Sequence, residues 1–116
     1  MIRRSDEKTV DVRKMFDGAG EAVMHRILNG ADEMYGKGRV CSILTLDPDC
    51  EIGRHKHEGD CEVFLILSGT GKYLLDGELV DVEPGDILFV DDGEEHYMLN
   101  DGMEPLVYVA IVLFTK

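Results

Sequence analysis

A chain of 116 residues has material for one domain with a single modest core, and a formal net charge of -12 leaves no basic footprint for a phosphate backbone or an anionic membrane. Thirteen glycines and no tryptophan point to many tight turns between short elements. The opening MIRRSDEKTVDV is too polar for a secretory signal, no apolar run has the length of a bilayer span, and Cys41, Cys50 and Cys61 lack C-x-x-C spacing, so reduced thiols in a cytoplasmic protein are expected.

Residues 1-38 are read as an N-terminal extension packed on the main domain or on a partner subunit. Within it, Val23, His25 and Ile27 share a period of two, which favours a strand over Glu21 to Leu28, and Ala31 to Tyr35 suits a helical turn. His25 is given no functional role. From Arg39 onward the pattern is short strands cut by turn signals. Val40 to Leu46 alternates and ends at Asp47-Pro48-Asp49; Glu51 to His57 follows, then a loop at Glu58-Gly59-Asp60 and a strand from Glu62. Asp76-Gly77 sits between two alternating runs in GKYLLDGELVDV, a strong hairpin signal. Pro84-Gly85-Asp86 turns into ILFV, Asp92-Gly93 turns into HYMLN, and Leu106 to Phe114 is a long apolar strand. Six or seven short strands without a helical period predict an all-β sandwich or barrel over 39-116.

Two runs, Val63 to Leu67 and Val107 to Phe114, are apolar on both faces, whereas a half-solvated antiparallel strand alternates. Their outer face needs a cover, either the N-terminal segment or a second subunit, and a homodimer is expected.

The chemistry concentrates in Gly53-Arg54-His55-Lys56-His57-Glu58-Gly59-Asp60-Cys61-Glu62. His55 and His57 are two apart on a strand and leave the same face, while Arg54 and Lys56 point the other way. Glu62 opens the next strand and offers a carboxylate oxygen. With His96, three nitrogens and one oxygen suit a single divalent transition metal such as manganese, iron, nickel, cobalt or zinc. Taken alone, an H-x-H pair followed by glutamate fits surface histidines in a polar hairpin equally well.

The spacing of the whole set resembles the cupin superfamily. His55, His57, Glu62 and Gly69 fall in the register of its first motif, and Gly85, Gly93, His96 and Asn100 in that of its second. Two positions depart from the pattern: Asp49 stands where the first motif has its leading glycine, and Asp91 where the second has proline. Both shape turns and leave the ligand set intact. The resemblance implies a cupin-type double-stranded β-helix, a jelly-roll barrel of six or more strands, with His55, His57, Glu62 and His96 holding the metal inside it. A rival set, Cys50, His55, His57 and Cys61, would make a closed zinc site. It is disfavoured because Cys61 and Glu62 face opposite ways and the motifs register on Glu62.

Four protein ligands on an ion that prefers five or six leave room for water or substrate. Strand alternation carries the wall of that site to Phe64 and Ile66 beyond Glu62, and to Met98 and Asn100 beyond His96. Phe64, Met98 and Asn100 are the candidate pocket residues, with Ile66 ordinary core. No second acid-base pair can be placed beside the metal, so no catalytic residue is assigned. Asp91, Asp92, Glu94 and Glu95 read as a solvated loop; at the barrel mouth they would repel free anions and disfavour a small dicarboxylate such as oxalate. Three classes follow: a metal-dependent enzyme on a small molecule (dioxygenase, isomerase, lyase or decarboxylase), a non-catalytic small-ligand binder or sensor, and a barrel that the metal merely staples. The enzyme is favoured.

Overall fold

The computed structural model describes all of residues 1-116. After a 3-10 turn at Ser5-Glu7 come β1 (Val10-Arg13), β2 (Ala22-Arg26), a single helical turn α1 (Gly30-Glu33), β3 (Gly38-Leu46) and β4 (Glu51-Lys56). β5 (Asp60-Ser68), β6 (Gly71-Leu75), β7 (Glu78-Val82), β8 (Ile87-Val90), β9 (Glu95-Leu99) and β10 (Leu106-Phe114) complete the chain. From Gly38 onward eight strands replace the six or seven expected, because each hairpin arm counts separately, and the N-terminal segment adds β1 to the expected strand β2. Asp60, read as loop, opens β5. Asp76 and Gly77 both have positive φ, the backbone a two-residue hairpin turn needs to follow the strand twist.

The strands form two antiparallel sheets, one in the order β1-β2-β3-β10-β5-β8 and the other β4-β9-β6-β7. They make an all-β jelly roll of two facing sheets that do not close into one continuous ring of strands. Alternation decides the inner face. On β10, Leu106, Tyr108, Ala110 and Val112 are buried, while Val107, Val109 and Ile111 look outward and are half-buried. Their inward neighbours Leu44 and Leu46 on β3, Phe64 and Ile66 on β5 and Met98 on β9 join one core. The N-terminal segment enters as β2 beside β3, with β1 beyond it at the edge of the sheet.

One irregularity decides the site. Ile52 pairs with Met98 and His55 pairs with His96, so three residues advance on β4 while two advance on β9. A regular strand would aim residues three apart at opposite faces; the bulge at Gly53-Arg54 turns both Ile52 and His55 inward. The bulge also receives the loop after β1. The Gly53 N–H donates to the Met15 carbonyl at 2.9 Å, and a side chain on Gly53 would overlap the Phe16 carbonyl oxygen.

Candidate metal centre

The register of β4 against β9 sets His55 directly across from His96, and Glu62 reaches them from β5 in the opposite sheet. His57 follows the last residue of β4, where its backbone exchanges hydrogen bonds with the β8-β9 turn: its N–H donates to the Glu94 carbonyl at 3.0 Å and its carbonyl accepts from the Gly93 N–H at 2.7 Å. One donor atom from each of His55, His57, Glu62 and His96 lies within 4.8 Å of the others. The Nε2 atom of His96 is 2.9 Å from that of His55 and 3.1 Å from that of His57. Glu62 Oε1 lies 3.2 Å from His57 Nε2 and 3.3 Å from His96 Nε2.

Each ring is turned so that Nε2 faces the cluster. His55 Nδ1–H donates to the Gly53 carbonyl at 2.8 Å, and His57 Nδ1–H donates to Asp60 Oδ1 at 2.6 Å. His96 Nδ1 pairs with the Tyr73 hydroxyl at 3.0 Å. Asp60 is itself held by Arg39, whose Nε donates to Oδ2 at 3.0 Å. An outer partner on the far nitrogen is what fixes tautomer and ring direction in a metal-ligating histidine. Three ring nitrogens presenting lone pairs at such separations repel one another unless a cation lies among them. The arrangement therefore fits a divalent metal bound by three imidazoles and one carboxylate.

The titration behaviour has the same origin. Burial pushes the His55 imidazole down to about 4, outweighing the opposing lift from its bond to the Gly53 carbonyl. His57 is held above the usual histidine range because its protonated ring could donate from Nε2 to Glu62 and from Nδ1 to Asp60, the first contributing most and both working against burial. Burial works to raise Glu62, but hydrogen bonds from His57 and His96 prevail and keep it below the usual carboxylate range.

A cavity of about 370 Å³ adjoins the cluster, and His55, His57, Glu62 and Phe64 form one end of it. Phe64 packs its ring 5.4 Å from that of His96. Met98 and Asn100 do not line this cavity. Met98 is fully buried in the core between the sheets. Asn100 clamps the β9-β10 loop, its Nδ2 donating to the carbonyls of Leu46 and Glu104 at 2.8 Å and its Oδ1 accepting from the Gly102 N–H at 2.9 Å. Met98 lies on the inner face as strand parity predicts, whereas Asn100 falls past the end of β9, and neither side chain lines the cavity. Cys50 packs against the core, and neither it nor Cys61 joins the cluster.

The acidic run before His96 is likewise outside the cavity. Asp92 caps the β4-β5 loop and the C-terminus, accepting from the Gly59 N–H at 2.9 Å and the Thr115 hydroxyl at 2.7 Å. The cavity instead carries Arg13, Lys14, Arg26 and Arg39, with Glu62 its one acidic residue. Phe16, which no sequence pattern singled out, lies flat on His55 with ring centroids 3.6 Å apart. Asp60 three residues after His57 was a readable signal; Tyr73, Phe16 and the arginines reach the site through pairings distant in sequence.

Comparison with known proteins agrees with this architecture. The cupin domain family model matches residues 42–112, and the chain belongs to the cupin family. An oxalate-binding protein of Thermotoga maritima is 35% identical over 114 residues, which cover 97% of this chain and 93% of that one. A Thermotoga maritima crystal structure described as a predicted oxalate decarboxylase superposes with a TM-score of 0.91 at 35% identity, covering 98% of this chain and 99% of that one. The polyketide cyclase RemF of Streptomyces resistomycificus shares the fold, with a TM-score of 0.75 at 20% identity over 100% of this chain and 81% of that one.

Proposed function

We propose that the protein binds one divalent transition metal through His55, His57, Glu62 and His96 and holds a small carboxylate beside it. The observation that carries this reading is the charge of the cavity. The chain has 12 Lys and Arg against 24 Asp and Glu. Yet four of the cations line this cavity, and they still outnumber Glu62 together with Asp11, paired to Arg13 and Arg26, and Asp60, paired to Arg39. The expected bias against anions was conditional on Asp91, Asp92, Glu94 and Glu95 standing at the mouth, and none of the four lines the cavity. The Thermotoga maritima relative named for oxalate binding supports the same ligand class.

When bound, the metal supplies Lewis acidity toward a carboxylate oxygen. The chain's own residues do the rest. Asp60, Tyr73 and the Gly53 carbonyl hold the three imidazoles in register. Phe16 and Phe64 exclude water on two sides, and the arginines compensate the ligand's charge. No carboxylate or histidine besides the ligand set lines the cavity to move a proton, so binding is the primary reading. A decarboxylase-type reaction is the second reading, favoured by the relative described in those words.

The protein is further proposed to be cytoplasmic, in keeping with three free cysteines. It is also proposed to form a homodimer through the outer face of the six-stranded sheet, where Ile87 and Phe89 are 69% and 55% exposed. The decisive experiment is elemental analysis of the purified protein followed by calorimetric titration of the metal-loaded form with oxalate and its neutral diamide. Oxalate should bind, and only with metal present. Equal binding of the neutral analogue, or no retained metal, would refute the proposal.

A further inference from the structure

The cavity is too large and too apolar for an ion made of two carboxyl groups alone. At about 370 Å³ it falls among pockets that take drug-sized ligands, about 300–1,000 Å³, and ten of its seventeen lining residues are hydrophobic. His55, His57 and Glu62 line it at the metal cluster, with Arg39 tied to them through Asp60. Arg13 and Arg26 line it from β1 and β2.

The register gives the separation. Phe64, next inward after Glu62 on β5, pairs with Ala110; Ala110 pairs with Ser42; and Ser42 pairs with Arg26. Three strand spacings lie between Phe64 and Arg26, on the order of 14 Å along the sheet. Between them the floor is Val40, Leu44, Ala110 and Val112. Asp11 accepts from Arg26 Nε at 2.6 Å and lies 3.8 Å from an Nη of Arg13, so one carboxylate is shared by two guanidiniums, and the Nη groups of Arg26 keep donors for a second anion.

We infer that the ligand is an elongated dianion: one carboxylate at the metal, an apolar body along the β3-β10 floor, and a second anionic group at Arg13 and Arg26. This rests on the metal-and-carboxylate reading above and specifies its ligand class. Oxalate would fill the metal end only.

The test is a chain-length series. Cobalt-loaded protein is titrated with oxalate, adipate, suberate and the monoanion octanoate, followed by calorimetry and by the visible absorption of cobalt. Each methylene that becomes buried should strengthen binding about threefold to fourfold. Suberate should therefore bind at least tenfold more tightly than oxalate and more tightly than octanoate. Arg26→Gln should weaken suberate by about tenfold and narrow its margin over octanoate, with Arg13→Gln as the alternative should the first variant fail to fold. Oxalate binding as tightly as suberate would overturn the elongated ligand while leaving the carboxylate reading standing. Suberate equal to octanoate would overturn the second anionic contact. No binding by any member of the series would overturn both readings together.

Discussion

Asp60 provides the sharpest test of the metal centre, because it touches a proposed ligand on the side away from the ion. Its side chain is 10% exposed and accepts a hydrogen bond from His57 Nδ1–H at 2.6 Å and another from Arg39 Nε at 3.0 Å. Asp60→Ala leaves a buried imidazole N–H without an acceptor, at about 1–3 kcal/mol. Part of that loss falls equally on the metal-free protein, where it lowers stability without changing affinity. The part that reaches the metal is the one that depends on His57 presenting Nε2 as a lone pair. Outer partners of ligating histidines are typically worth about 10- to 100-fold in metal affinity, which is about 1.4–2.8 kcal/mol. Asp60→Asn keeps an acceptor oxygen and loses the charge, so it should fall between wild type and alanine. Arg39 has a side chain 47% exposed, and its removal should cost less than tenfold. Affinity is read by competition against a chelator of known strength, with circular dichroism to confirm folding. If folded Asp60→Ala and Asp60→Asn both bind metal within twofold of wild type, the orienting role of this carboxylate is wrong.

Phe16 stacks on His55 from a half-exposed position, so Phe16→Ala should leave the fold intact and speed chelator extraction of the metal several-fold, measured by stopped flow. Glu51 accepts hydrogen bonds from the Tyr97 hydroxyl and, at 2.8 Å, from the Ala19 N–H; these hold its carboxyl below the usual range. A lowered folded-state pKa stabilises the protein above about 4.5 and loses that contribution as pH falls further, so urea unfolding of Glu51→Gln should show a shallower acid limb than wild type. Metal at a hundredfold excess over its dissociation constant should add about 2.7 kcal/mol of stability, raising Tm by roughly 10 °C in calorimetry, and Glu62→Gln should lose most of that rise.

The parts of the site legible in the sequence are those encoded by short spacing. His55 and His57 announce each other at two residues, and Glu62 and His96 are tied to them by the spacing of two motifs. Even there a local departure was absorbed: Asp49, standing where the family has glycine, adopts φ 68°, a backbone that aspartate tolerates better than most residues. The β-bulge at Gly53 was not legible, since a bulge is a relation between β4 and β9 and leaves each strand looking regular. Parity assigned Met98 and Asn100 to the pocket wall, yet could not say that Met98 is core or that β9 ends before Asn100. Arg13, Lys14 and Phe16 were invisible for a stronger reason. Their role depends on β1 and the loop after it lying over β4, and only the folded pairing Met15 with Ile52 states that.

The same non-locality separates the charge of the chain from the charge of its site, and that separation has a kinetic consequence. A net charge of -12 repels an approaching dianion, while Arg13, Lys14, Arg26 and Arg39 attract it once it is inside. Salt screens the two unequally. The screening length falls from about 30 Å at 0.01 M to about 8 Å at 0.15 M, so added salt removes the distant surface acids from the encounter before it removes the cavity cations. For a dianion such as oxalate, the association rate should therefore rise several-fold over that range, with dissociation changed far less. This is opposite to the usual loss of steering with salt. Stopped-flow mixing of the metal-loaded protein at constant pH measures both rates. An association rate that falls as salt is added would mean that the cavity cations already govern the field outside the protein, and the separation argued from the fold would be wrong.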